Sequence, residues 1–379
     1  MVRKAKAETT GATSGKLDKA AIFDALIADT NSKFGKGSLQ LLGSTAHANV
    51  QTSSTGSMVV DHILGGGLAR GRVHEIFGPE ASGKTSLALT AIANVQKAGG
   101  NAVLIDAEHA LDPKYAKVLG VDVDKLALGT PTYAEQALDM MIEMTKSGAV
   151  DIVVLDSVAA LVPKAELEGD MEQNSVGLMA RIMGKALRKI TPIAAESKTI
   201  VVFINQTREK VGIMFGSPET TPGGKALKFY ASERIRIARK QQVKDKDIVI
   251  GTLVHVKCVK NKIAPPYQEG DTVLTFNKGI HREAELLQIA VDQKIINNKN
   301  GHYTDAETGE KLVFGKDNMV KALEDRSTGL YDKYYKLVDK IYNGVDDDND
   351  QSDDDTSVDT TDTKASDADV TVNDEETSE

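Results

Sequence analysis

Gly78-Pro79-Glu80-Ala81-Ser82-Gly83-Lys84-Thr85 carries the spacing G-x-x-x-x-G-K-[ST], with Ser86 directly after it. Such glycines let a backbone curl until successive N–H groups point inward at one polyphosphate, while the lysine supplies a point charge and the threonine hydroxyl reaches Mg²⁺. The β-like run Val73–Phe77 precedes the loop and the helical run Ser86–Ala93 follows it. Strand, loop and helix in that order place an anion at a helix N-terminus, where unpaired amides and the helix dipole favour it. The chemistry expected here is the binding of a nucleoside triphosphate with Mg²⁺.

Three further strand ends carry polar groups suited to that ligand. Asp156 closes the apolar run Ile152–Leu155, and a carboxylate at the carboxyl end of a buried strand lies in the crevice where open α/β sheets bind ligands. From there it holds Mg²⁺ through water while Thr85 ligates the ion directly. Asp106 and Glu108 close the run Ala102–Ile105 and share a face if the strand continues that far. Either carboxylate can orient and deprotonate a water for in-line attack on the terminal phosphate. Residue chemistry leaves the base role open between them, and leaves hydrolysis open against transfer to a substrate hydroxyl. Gln206 follows the run Thr199–Asn205 and opens a long, glycine-punctuated loop, 207–224. A polar amide there can feel the terminal phosphate while the loop beyond it responds. The loop closes on Thr221-Pro222-Gly223-Gly224-Lys225 ahead of the helical Ala226–Ser232, a second helix start suited to phosphate.

The elements that position these groups alternate β and α from about 50 to 280. Expected strands are Val73–Phe77, Ala102–Asp106, Asp151–Asp156, Thr199–Asn205, Arg234–Arg239, Thr252–Val259 and Thr272–Phe276. Runs such as Ile152-Val153-Val154-Leu155 are apolar on both faces, as strands of a parallel, helix-covered sheet must be. The last three alternate more and follow short connections, which predicts an antiparallel extension at one edge. The fold class is therefore α/β with a mostly parallel, helix-covered sheet. Around it the sequence divides into residues 1–16, expected to be disordered, and 17–49, a segment whose apolar residues 22, 23, 26 and 27 predict an amphipathic helix. Then come a core at 50–281, a small α+β unit at 282–343, and a tail at 344–379. Within the small unit Glu283–Gln293 and Asn318–Tyr342 read as helices around a hairpin-like Gly301–Leu312.

Composition narrows the classes. The chain has 379 residues, 41% of them apolar, and one cysteine, Cys258, so neither an intrachain disulfide nor a cysteine zinc cage can form. No run approaches the roughly eighteen apolar residues of a membrane span, and residues 1–16 lack the apolar stretch of a secretory signal. A cytoplasmic setting with no membrane partner is expected. The net charge of −9 is unevenly spread: residues 345–379 hold fifteen Asp and Glu against one lysine, net −14, leaving 40 acids against 45 bases, net +5, elsewhere. An acidic tail without aromatic residues stays disordered. It either solvates the chain or competes with an anionic ligand for a basic body.

Several strings together resemble the bacterial RecA recombinase family. They are Gly78–Thr85, Ile105-Asp106-Ala107-Glu108-His109-Ala110-Leu111-Asp112-Pro113, Leu155-Asp156-Ser157-Val158-Ala159-Ala160-Leu161 and Phe203-Ile204-Asn205-Gln206. Met214-Phe215-Gly216, Ala226–Ser232 and Val259-Lys260-Asn261-Lys262 extend the likeness, which runs from about Lys33 to about 340. The resemblance implies an ATPase core with ATP and Mg²⁺ as cofactors, and a homo-oligomeric helical filament on single-stranded DNA. It further implies pairing and strand exchange with double-stranded DNA, self-cleavage of an SOS repressor on the filament, and loading or regulatory partners. By matching position it gives Glu108 the base role, Asp112 and Tyr115 the adenine, and Gln206 the γ-phosphate. It has Lys260 and Lys262 reach the γ-phosphate of an adjacent protomer. Its DNA loops fall at 168–177 and 207–224. Gly169, Arg181, Arg188, Arg208, Gly223 and Gly224 would hold DNA phosphates, and Val176 and Val211 would be wedged between base triplets. The chain departs from the common family pattern at Val176, Thr207, Glu209, Pro222, Lys225, Phe276 and Asn277. A ring motor, a small-molecule kinase and a purely structural filament are the other readings of the same core. Hydrolysis stimulated by DNA separates the recombinase from all three.

Overall fold

A computed structural model describes residues 19–41, 50–169, 177–209, 219–276 and 278–343. The expectations for residues 1–16, Val176, Val211, Asn277, the middle of both loops and the acidic tail fall outside the described residues.

Nine strands form one sheet. In chain order they are β1 (Val73–Gly78), β2 (Ala102–Asp106), β3 (Leu126–Gly129), β4 (Ile152–Asp156), β5 (Ile200–Gln206), β6 (Glu233–Asp245), β7 (Ile248–Asn261), β8 (Glu269–Thr275) and β9 (Gly279–Ile280). Their order across the sheet is β9-β8-β7-β6-β1-β5-β4-β2-β3. Neighbours from β6 to β3 run parallel, and β6, β7, β8 and β9 pair antiparallel at one edge. The parallel core and its antiparallel extension are those expected from the run pattern. β3 and β9 are the strands the pattern does not reveal: β3 is four residues at one sheet edge, none of them buried, and β9 is two residues at the other.

The continuous apolar runs have a direct cause. Alternate side chains of a strand point to opposite faces, and here both faces are covered. Ile76, Leu104, Val154 and Val202 pack with α2 (Met58–Leu64) and α3 (Lys84–Lys97). Val73, Val103, Val153 and Val201 pack on the other side with α5 (Ala134–Lys146) and α7 (Leu178–Ser197). Short helices α4 (Pro113–Val118), α6 (Lys164–Glu168) and α8 (Ala226–Tyr230) lie between longer elements.

Two termini of the described chain differ in character. α1 (Lys19–Phe34) has no buried residue, and Ile22, Phe23 and Leu26 are exposed. Toward the other end, α9 (Arg282–Asp292), β10 (Ile296–Lys299), β11 (His302–Asp305), β12 (Lys311–Phe314), α10 (Lys316–Glu324) and α11 (Leu330–Asn343) enclose a core of their own. That core includes Leu286, Met319, Leu323, Tyr334 and Val338. The single helix expected over Asn318–Tyr342 is in fact two. Asp325 caps the turn Arg326–Thr328 through Ser327, and Gly329 takes a left-handed φ of 67°, which ends one helix and starts the next in a new direction. No described helix is long and apolar enough to cross a membrane.

Candidate nucleotide-binding site

The phosphate loop leaves β1 at Gly78 and enters α3 at Lys84. A Cβ at Gly78 would lie 1.9 Å from the carbonyl oxygen of Ile237 on β6, and Gly83 holds a φ of +93°, so both positions require glycine. Lys84 is buried, and its Nζ donates to the Pro79 carbonyl at 2.7 Å. Burial pulls its pKa down, while the carboxylates of Asp156, Glu108 and Glu80 act in the opposite direction. Thr85 Oγ1 donates to Asp156 Oδ2 at 2.6 Å. Ser86 Oγ lies 2.8 Å from the Tyr115 hydroxyl, which sets that ring beside the start of α3. Asp112 is exposed and caps α4, its Oδ1 accepting from the Lys114 amide at 2.9 Å.

Burial raises the Asp156 carboxyl to about 6, against its Thr85 hydrogen bond. Glu108 and Asp106 push it further up, and Lys84 opposes them. This is a locus of crowded negative charge that a divalent cation would relieve. No group of three or more His, Cys, Asp or Glu among the described residues could hold a metal. The residues fit Mg²⁺, which takes oxygen ligands, needs only one or two from protein and completes its shell with phosphate and water.

The structure separates the two carboxylates at the end of β2. The strand stops at Asp106, whose two oxygens accept from the backbone amides of Glu108 (3.1 Å) and Leu111 (3.0 Å). Asp106 therefore builds its own turn. Glu108 Oε1 instead accepts from Ser157 Oγ at 2.6 Å and from Gln206 Nε2 at 3.1 Å. The ends of β2, β4 and β5 thus meet on one carboxylate. Ser157 is a functional neighbour that sequence reasoning missed; its place directly after the strand-end Asp156 was the available signal.

The loop bases also come together. Arg208–Glu209 pairs antiparallel with Glu219–Thr220, closing residues 210–218 at their base. Glu219 is held by Arg236 of β6 through two hydrogen bonds, 2.8 and 2.6 Å. Added Cβ atoms at Gly223 and Gly224 would meet Val158 and Met183, and Ala180, respectively. The exit of the second loop therefore rests on the first two turns of α7, the helix that follows the first loop. Arg181 and Arg188 are exposed seven residues apart on α7, two turns along one side. Arg188 Nε donates to the Gly184 carbonyl at 3.1 Å. Arg208 is exposed, and Gly169 follows α6 at the edge of the first loop.

The family model of the RecA N-terminal domain matches residues 21–281. This chain belongs to the RecA family. It is 50% identical over 309 residues to Protein RecA of Streptomyces venezuelae, covering 81% of each chain. Over 311 residues it is 48% identical to Protein RecA of Lactobacillus delbrueckii subsp. bulgaricus, covering 82% of this chain and 93% of that one. Protein RecA of Bacillus thuringiensis is 49% identical over 311 residues, with 82% and 90% covered. Membership of the RecA family makes the chain a nucleotide-binding ATPase of DNA recombination and repair that binds DNA and self-associates.

Lys260 stands apart from the phosphate loop of its own chain. Lys260 pairs with Arg234, which pairs with Glu75, so it lies two strands from β1 and level with a residue three positions before Gly78. Its Nζ donates to the carbonyls of Lys228 and Phe229, each at 2.8 Å. Burial lowers its pKa, and Lys262 and Arg234 push the same way. Lys262 is exposed one residue beyond β7. A cavity of about 600 Å³ lined by Thr90, Asn94, Lys97, Lys125 and Arg282 lies at the far end of α3 and includes no phosphate-loop residue.

Proposed function

We propose that this chain is a DNA-dependent ATPase that polymerises with ATP on single-stranded DNA. The filament catalyses homologous pairing and strand exchange in recombinational repair and stimulates autocleavage of an SOS repressor. One observation carries the reading. Gln206, the residue from which the second loop departs, hydrogen-bonds Glu108, the carboxylate shared by three strand ends. In this reading the residue that senses the phosphates is also the last residue of β5, from which the second loop departs.

In this reading residues 78–86 cradle the phosphates, Lys84 neutralises their charge, and Asp112 and Tyr115 hold adenine. Thr85, and Asp156 through water, hold Mg²⁺, which when bound draws negative charge off the phosphates. Glu108 takes the proton of the attacking water, and Gln206 reports the γ-phosphate to the loop. Lys260 and Lys262, remote from the phosphates of their own chain, act on those of a neighbour, where two cations stabilise transition-state charge. The exposed apolar side chains of α1 supply a docking face between protomers. Gly169, Arg181, Arg188, Arg208, Gly223 and Gly224 hold the DNA backbone without reading sequence, with Val176 and Val211 as wedges. Residues 50–281 act as the core, 17–49 as the oligomerisation segment and 282–343 as an accessory unit. Loading and regulatory proteins and a cytoplasmic setting complete the assignment.

The test is ATP turnover with and without single-stranded DNA, with Lys84→Ala as the blank. Strong stimulation that Lys84→Ala abolishes is expected. Turnover indifferent to DNA would overturn the recombinase reading in favour of a ring ATPase on the same core.

A further inference from the structure

Glu75 sits on β1, fully buried, three residues before the phosphate loop. On one side its Oε2 accepts from Arg234 Nε of β6 at 2.5 Å. On the other its Oε1 accepts from Asn205 Nδ2 of β5 at 3.1 Å. Asn205 is fully buried too. Its Nδ2 also donates to the Pro222 carbonyl at 3.2 Å, and its Oδ1 accepts from the Gln206 amide at 3.0 Å. The guanidinium of Arg234 stacks 4.5 Å above the centre of the Phe77 ring.

We infer that Asn205 is a positioning residue that joins the nucleotide-sensing end of β5 to the exit of the second loop, with Glu75 and Arg234 fixing its amide. The inference rests on reading Gln206 as the γ-phosphate sensor. Its physical basis is the full use of one amide. Both kinds of polar atom on the side chain have partners, on β1, on the loop exit and on the next residue's backbone. Turning the amide over would set its oxygen against the Glu75 and Pro222 oxygens, so it has a single orientation. Entrance and exit of the loop, sixteen residues apart in sequence, therefore hang from one side chain. A shift of the Gln206 backbone reaches Pro222 directly, without passing along the loop. β6 braces the arrangement twice, since Arg234 fixes Glu75 and Arg236 fixes Glu219, alternate residues on one face of the strand.

The test is a polarity swap in the full-length protein. Asn205→Asp alone sets a carboxylate against Glu75 and the Pro222 carbonyl, and lowers the thermal midpoint. Adding Glu75→Gln restores a donor–acceptor pair between β1 and β5, yet the new carboxylate still has no hydrogen for Pro222. The double variant is expected to regain part of the thermal midpoint lost in Asn205→Asp, and to bind a fluorescent ATP analogue within about threefold of wild type. Protection of the loop from trypsin (after Arg208, Lys210 or Lys225) by a slowly hydrolysed ATP analogue should fall about tenfold, the order of one lost buried hydrogen bond. Wild-type protection in the double variant would overturn the relay, as would a double variant no more stable than Asn205→Asp alone or a wild-type loop that ATP analogues leave unprotected. Turnover is followed alongside. A nucleotide-protected loop in a wild-type protein that ignores DNA would sink the recombinase reading while leaving the relay intact.

Discussion

Glu108 and Asp106 show how far residue chemistry reaches. Two carboxylates two positions apart are equivalent candidates for a base until their hydrogen bonds are known. Asp106 is engaged by two backbone amides of its own turn, whereas Glu108 is held by side chains from two other strands. Glu108→Gln keeps the shape but cannot take a proton, so turnover should fall by about 10²–10⁴ while nucleotide affinity is retained. Ser157→Ala, which frees the carboxylate without removing it, should cost only about tenfold in turnover, the loss of one hydrogen bond. Single-turnover hydrolysis alongside equilibrium nucleotide binding checks both. Full activity in Glu108→Gln would move the base elsewhere. Ser157 and Asn205 were the least legible members of the site, because small polar residues at strand ends are common and only their partners reveal their use.

Glu285 belongs to the joining of elements. It lies on α9, buried, and accepts from Ser57 Oγ (2.6 Å) and the Met58 amide (2.8 Å) at the start of α2, and from the Thr272 hydroxyl of β8. Burial pushes its pKa up to about 7, against those three donors, and Asp61 pushes it further the same way. With the native value above the ordinary 4.5, the folded protein binds the proton more tightly than the unfolded chain. The resulting stabilisation is full below about 4.5 and is lost as pH rises to about 7. Other groups titrate in the same window, so the difference between wild type and Glu285→Gln isolates this one. The thermal midpoint of wild type relative to the variant should fall between pH 5 and pH 8. A difference that does not change with pH would show that Glu285 keeps one protonation state throughout. At this level the central strands were legible because both their faces are buried. β3 was not, since an edge strand of four unburied residues leaves no periodic mark. The break at Gly329 was also missed, because the helical pattern resumes directly after it.

Charge distribution is a property of the whole chain. Residues 345–379 carry net −14 and the remainder +5, a division under which the tail either solvates the chain or competes with an anionic ligand for a basic body, and the two readings differ in what its removal does. Removing everything after Asn343 should strengthen duplex-DNA binding and lower the Mg²⁺ needed, and the gain should shrink as salt rises. Fluorescence anisotropy of a labelled duplex across a salt series reads this directly. Affinity unchanged at low salt would assign the tail to solvation alone. Assembly is the other property at this level: Lys260 lies two strands from β1, and under the proposed function it acts with Lys262 on the phosphate of a neighbouring copy.

The order of residues was enough to define the phosphate loop, the parallel sheet with its antiparallel edge, the family and the uneven charge. Each is a local or periodic property: a fixed spacing of glycines and a lysine, runs apolar on both faces, or a composition that changes along the chain. Contacts between distant segments were decided only in three dimensions. Glu108 was joined to Ser157 and Gln206, which lie 49 and 98 residues away. Glu75 was joined to Asn205 across 130 residues and Glu285 to Ser57 across 228. A hydrogen bond between side chains so far apart leaves no spacing to read, because strand order in the sheet, not distance along the chain, determines which strand ends meet.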